Sequence, residues 1–131
     1  MYIKLMAILI PVMLVIDAIW IGGIMKNFYR GNLGFIMADT INWKAAIVFY
    51  VLYIFGLVYF IVLPSLAGMS LAQTFIRGAL FGLIAYGTYD LTNHATLANW
   101  PWAVTVVDMA WGATLTGAVA AVGHYFGKIL S

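Results

Sequence analysis

Four long apolar segments dominate this chain of 131 residues and limit what it can fold into. They cover approximately residues 3–24, 45–66, 72–93 and 102–126. Each is long enough for a membrane-spanning helix, which needs about 20 mostly apolar residues. Only 8% of the residues are charged, against roughly 25% in soluble domains, which leaves too few charges for a water-exposed surface. We therefore predict an all-α integral membrane protein, a single domain over residues 1–131 that forms an antiparallel bundle of four transmembrane helices.

The connector between the first two segments, residues 25–44, is the only long one. It mixes aromatic with basic side chains, which is typical of a segment lying among lipid headgroups; an ordinary polar loop is the alternative. We call the membrane face on its side the connector face, and the opposite one, which holds both chain ends, the termini face. Asp17 and Trp20 interrupt the first segment and no cleavage signature follows them, so we interpret it as a retained span rather than a signal peptide.

Residue counts exclude several classes of function. The absence of cysteine excludes iron–sulfur clusters and zinc sites with cysteine ligands. The two histidines lie near opposite membrane faces, so one chain cannot clamp a haem between them; we place His124 at the interface of the termini face. The net charge is only +2 and there is no basic block, so we expect neither nucleic-acid binding nor a nucleotide site.

Three aspartates lie at similar depth within the apolar segments. A helix rises 1.5 Å per residue, which puts Asp17 and Asp108 about 21 Å from the termini face and Asp90 about 27 Å from it. All three therefore belong to the half of the membrane next to the connector face. Each buried carboxyl costs about 2.5–3.5 kcal/mol on insertion scales, and no Lys or Arg lies at that depth.

Other polar and aromatic side chains are predicted at the same depth. Helical spacing puts Tyr86, Asp90, Asn93 and His94 on one face of the third segment. The remaining candidates for a ligand- or proton-binding site are Trp20, Tyr50, Tyr53 and Trp111.

Two interpretations of this cluster stay open: a functional polar site, or a purely structural hydrogen-bond network. His94 either caps the end of its helix or joins the acidic site as a proton relay or ligand. Asp90, His94 and Asp108 offer nitrogen and oxygen ligands for a metal ion, although their spacing matches no fixed metal motif. Gly78 and Gly82 form a small-residue pair that predicts close helix packing.

Four sequence blocks carry a family resemblance. They are IDAIWIG at 16–22, the stretch from Asn42–Trp43 to Tyr53, YGTYDLTNHATLANWP at 86–101 and VVDMAWG at 106–112. Together they resemble a bacterial family of small predicted membrane proteins called domain of unknown function 2177, over essentially the whole chain. The resemblance implies a four-span, multi-pass protein, for which we expect the bacterial cytoplasmic (inner) membrane. It implies no activity and supplies no catalytic residues.

Three classes of function fit these observations. The first is a small binder or transporter in which Asp17, Asp90 and Asp108 take up a proton or a cationic or amphiphilic solute, with a homodimer expected because four helices are few for a pathway. The second is an enzyme acting on a lipid or isoprenoid with carboxyls and His94 as acid–base groups or metal ligands. The third is a structural or assembly subunit of a membrane complex. Neither a cofactor nor a catalytic residue can be assigned.

Overall fold

Every described element of the structure, a computed structural model of residues 1–131, is helical. The long helices are α1 (Tyr2–Ile24), α3 (Trp43–Ser65), α4 (Leu71–Thr96) and α5 (Trp102–Leu130). A short helix, α2 (Lys26–Leu33), lies within the connector. α1 and α3 each widen into a π-helical turn, at Trp20–Ile24 and Val58–Val62.

Local sequence determines where three of the helices begin. The Asn42 side chain accepts a hydrogen bond from the Ala45 amide at 3.2 Å and so caps the start of α3. Ser70 and Gln73 form a reciprocal capping box at the start of α4. Pro101 precedes the first turn of α5, where its missing N–H is not needed.

Three helices are long and apolar enough to cross a membrane: α1, α3 and α5. They agree with the predicted spans 3–24, 45–66 and 102–126 to within two residues at each end, except that α5 continues four residues further. The predicted span 72–93 is helical as part of α4, but it is not among the three. The reason is its polar side chains, which include Gln73, Arg77 and Asp90.

α4 and α5 run in opposite directions and pack closely against each other. A Cβ atom built at Gly78 would lie 2.6 Å from the Ala120 Cβ, and one built at Gly82 would lie 2.6 Å from the Thr116 Cβ. No side chain larger than hydrogen fits at these two positions without a shift. The prediction of close packing at the Gly78–Gly82 pair is therefore confirmed.

The apolar core lies on the termini side of the aspartates. α1 contributes Leu5, Leu9 and Met13, which are fully buried and spaced four residues apart. Asp17 is the next position of this buried stripe, since residues four apart share a helix face. The other core residues are Tyr53, Ile54, Leu57, Val58, Val62, Leu115, Val119 and Ala120.

His124 is buried between helices, with only 6% of its surface exposed, and its interfacial depth stays a prediction. Its Nδ1 atom lies 2.8 Å from the Ser65 hydroxyl and 3.3 Å from the Thr74 hydroxyl. The neighbouring Gly123 lets Val62 of α3 approach α5 closely. This close approach covers the histidine, which position along the helix alone does not reveal.

Candidate acidic cavity

Asp17 lies in a complete hydrogen-bond arrangement. The Tyr50 hydroxyl of α3 donates to one carboxyl oxygen, Oδ2. The Trp111 indole of α5 donates to the other oxygen, Oδ1, at 3.1 Å. Asp17 is 5% exposed, and donors from two other helices satisfy both of its oxygens. This carboxyl therefore ties α1, α3 and α5 together.

A pair of stacked indoles connects Asp17 with the second aspartate. The rings of Trp20 and Trp111 are parallel within 3°, with centroids 4.1 Å apart. The Trp20 indole donates to the Tyr29 hydroxyl at 3.1 Å, and that hydroxyl donates to the Asp108 Oδ1 atom at 2.9 Å. Four elements of the chain thus meet in one polar and aromatic network.

Tyr29 is one of the site residues that sequence reasoning missed, and it is the one that joins the hydrogen-bond network. It belongs to α2, which folds back so that Tyr29 is only 9% exposed while Lys26 and Arg30 remain exposed. Burial raises the pKa of Tyr29 above its ordinary value of 10.0, so the hydroxyl stays protonated and able to donate. The mixture of aromatic and basic residues in α2 was the available signal. Depths calculated from the helical rise, however, apply only to the continuous spans.

A cavity of about 400 Å³ lies beside this network. Its volume falls within the range of small-molecule sites. Most of its wall is apolar or aromatic, and two carboxyls are the acidic groups in it. The lining residues are Ile21, Tyr29, Leu33, Phe49, Ala85, Tyr86, Tyr89, Asp90, Val104 and Asp108.

Asp90 has no hydrogen-bond partner at either carboxyl oxygen, although it is fully buried. The acidic group that it faces is Asp108, on the neighbouring helix. No Lys, Arg or His lines the cavity. An unpaired carboxylate in an apolar site is costly, so Asp90 needs either a proton or a cation from outside the chain.

The cavity reaches the outer surface of the helices. Three of its lining residues, Ile21, Phe49 and Tyr89, are exposed by 44%, 45% and 57%. Ile21 and Phe49 belong to two helices that are long and apolar enough to cross a membrane. The cavity is therefore bordered by side chains that also lie on the outer surface of the helices.

Of the predicted site residues, Tyr86, Asp90 and Asp108 line the cavity. The four residues Asp17, Trp20, Tyr50 and Trp111 form the adjoining hydrogen-bonded network.

Three predicted residues lie outside both the cavity and the adjoining network. The Tyr53 hydroxyl lies 2.8 Å from the Thr116 hydroxyl, within the apolar core. His94 places its Nδ1 atom 2.9 Å from the Thr105 hydroxyl, and Asn93 is only partly buried nearby. The structure brings together no group of three His, Asp or Glu side chains that could hold a metal ion. The suggested Asp90–His94–Asp108 ligand set is thus not assembled.

The apolar helices define a multi-pass membrane protein, and its cavity is lined in part by the two carboxyls Asp90 and Asp108. The model of a family described as a predicted membrane protein (DUF2177) matches residues 2–125, and the chain belongs to that family. The resemblance read from the sequence blocks is thereby confirmed. No curated protein and no solved structure matches the chain.

Proposed function

We propose that this protein binds a small organic cation with an apolar part, which enters the acidic cavity from the bilayer. The observation that carries the proposal is Asp90, a fully buried carboxyl without a partner in a cavity that also contains Asp108. A cation supplies the missing counter-charge. The apolar walls and the lateral opening suit a ligand that partitions into lipid.

The proposal includes a bundle of four antiparallel transmembrane helices. α4 has 26 residues and so a length of about 39 Å, more than the roughly 30 Å of a hydrocarbon core. Its contacts with α5 extend from Thr74–His124 at one end to His94–Thr105 at the other, which supports a crossing of its own. The neighbouring helices bury its carboxyl and so reduce the cost of insertion.

We further propose the bacterial cytoplasmic membrane as the location and a homodimer as the transporting form. The location follows from the bacterial family that the sequence blocks resemble. The dimer follows from the small number of helices available to form a pathway in one chain.

Isothermal titration calorimetry in a maltoside detergent tests the binding proposal. The ligands are hexylammonium and hexan-1-ol, which share an apolar chain and differ in charge. We expect hexylammonium to bind the wild type more tightly than hexan-1-ol does. The substitution Asp108→Asn should weaken hexylammonium binding by about tenfold or more, because a hydrogen bond to a charged group contributes roughly 1.5–3 kcal/mol.

Asp39→Asn is the matched control, since Asp39 is exposed in the connector and lies outside the cavity. It makes the same chemical change and should leave binding unchanged. Equal affinity for both ligands, or equal losses in the two variants, would contradict the proposal.

A further inference from the structure

The cavity leaves carboxyl oxygens without donors, and their number indicates the kind of cation that fits. Both oxygens of Asp90 lack a hydrogen-bond partner. Asp108 receives a hydrogen bond from Tyr29 at Oδ1 only. Three acceptor atoms on two facing carboxyls are therefore without a donor from the protein.

We infer that the cavity selects a primary ammonium group over a fully alkylated one, an inference that rests on the proposed function. A primary ammonium carries three N–H donors and no acceptor, which matches three available oxygens. A quaternary ammonium carries the same charge but has no N–H, so it leaves the Asp90 oxygens without donors. Charge alone attracts both cations, whereas hydrogen bonding distinguishes them.

No positively charged side chain of the protein lines the cavity beside Asp90. Lys26 and Arg30 of α2 are exposed and do not line the cavity. The titratable groups that line the cavity with Asp90 or join the adjoining network are Asp17, Tyr29, Tyr50, Tyr86, Tyr89 and Asp108. Of the hydroxyl groups in the cavity wall, that of Tyr29 is engaged with Asp108, and neither Tyr86 nor Tyr89 donates to Asp90. The ammonium group of a ligand is thus the donor that the site lacks.

Two sources offer this chemistry, a free alkylamine and the ethanolamine headgroup of a membrane lipid. Both present a primary ammonium next to an apolar tail. The lateral opening between Ile21, Phe49 and Tyr89 admits either from the bilayer. Their common feature is the –NH₃⁺ group.

Paired ligands that differ only in methylation of the nitrogen test the inference. Hexylammonium and hexyltrimethylammonium are titrated into the wild-type protein in a maltoside detergent. We expect hexylammonium to bind at least about tenfold more tightly, because buried acceptors left without donors cost that much or more. Equal affinities, or tighter binding of the trimethyl compound, would overturn the inference.

A second pair identifies the source. Dihexanoyl phosphatidylethanolamine and dihexanoyl phosphatidylcholine differ by the same three methyl groups. If the ethanolamine lipid is preferred over the choline lipid about as strongly as hexylammonium is over its trimethyl analogue, the natural ligand is a lipid headgroup. A preference confined to hexylammonium would assign a free amine, and no preference in either pair would contradict the inference.

The substitution Asp90→Asn provides the test on the protein side. Asparagine replaces one acceptor oxygen by an NH₂ donor, so the preference for hexylammonium over its trimethyl analogue should fall towards one. Asp39→Asn should keep the full preference. A ratio in Asp90→Asn equal to that of the wild type would count against the role of Asp90.

Failure of this inference is distinguishable from failure of the proposed function. If both ammonium compounds bind equally and hexan-1-ol binds weakly, the cation site stands and the hydrogen-bond selectivity is refuted. If no cation binds better than hexan-1-ol, the proposed function itself is refuted. The comparison uses the wild-type protein, so it remains decisive even if a variant does not fold.

Discussion

The substitution Tyr29→Phe should loosen α2 from the rest of the protein. It removes one hydroxyl that joins two hydrogen bonds, accepting from Trp20 at 3.1 Å and donating to Asp108 at 2.9 Å. The phenylalanine ring replaces the tyrosine ring and continues to fill the same space. The change therefore isolates the polar contribution of one atom.

The magnitude follows from these two bonds. Hydrogen bonds between membrane helices contribute about 0.6 kcal/mol on average and at most about 1.7 kcal/mol. Losing both destabilises the docked position of α2 by about 1 to 3 kcal/mol. Since about 1.4 kcal/mol corresponds to a factor of ten, the population of undocked α2 should rise about 5- to 150-fold.

Hydrogen–deuterium exchange measures this change directly, because peptides from Lys26–Leu33 report the opening of α2. The matched control is Tyr59→Phe, which removes a hydroxyl from an exposed side chain of α3. Exchange in α2 should accelerate in Tyr29→Phe and stay unchanged in Tyr59→Phe. Unchanged exchange in Tyr29→Phe would refute the idea that this hydroxyl holds α2 over the cavity.

Three further predictions concern packing and protonation. Gly82→Ala should lower the midpoint of thermal unfolding, because its Cβ would lie 2.6 Å from that of Thr116, whereas Gly56→Ala should be tolerated, with its nearest contact at 3.8 Å. His124→Ala should lower the free energy of unfolding by about 1 to 3 kcal/mol, because two buried hydroxyl groups lose a partner. Coinciding unfolding curves of the wild type and the variant in mixed micelles would refute this prediction. Because the pKa of Tyr29 is raised, its phenol should remain neutral at pH 10, where a free tyrosine is half ionised. The tyrosinate absorbance of the wild type and Tyr29→Phe should therefore be equal at that pH, and an excess in the wild type would contradict the prediction.

The helices were the most predictable part of the molecule. A bilayer crossing requires about 20 mostly apolar residues, so each span is visible in the sequence as an apolar segment of that length. Three of the predicted spans agree with helices that qualify as membrane-spanning. α4 agrees as a helix, but its polar side chains, such as Asp90, lower its hydropathy.

The helical rise per residue predicted the depth of the three aspartates, but not that they divide into a hydrogen-bonded network and a cavity. The rise per residue fixes a height in the membrane and leaves the rotation of each helix open. Asp17 therefore could not be separated in advance from Asp90, although the first has two donors and the second has none. Donor placement depends on tertiary packing between helices that are distant in sequence.

α2 and His124 were beyond the reach of the same reasoning. The position of Tyr29 depends on how the connector folds back towards Asp108, which no periodicity within a span encodes. The burial of His124 depends on the close approach of α3 at Gly123. Both results come from contacts across more than fifty residues of sequence.

The measurement that tests the central claim most directly is photolabelling with a hexylammonium derivative that carries a diazirine in its chain. Peptide mapping by mass spectrometry then locates the labelled residues. The account predicts labelling at the cavity mouth, around Ile21, Phe49 and Tyr89, and its loss in Asp108→Asn but not in Asp39→Asn. Labelling spread evenly over the lipid-facing surfaces, with no change in Asp108→Asn, would contradict the existence of a cation site in this cavity.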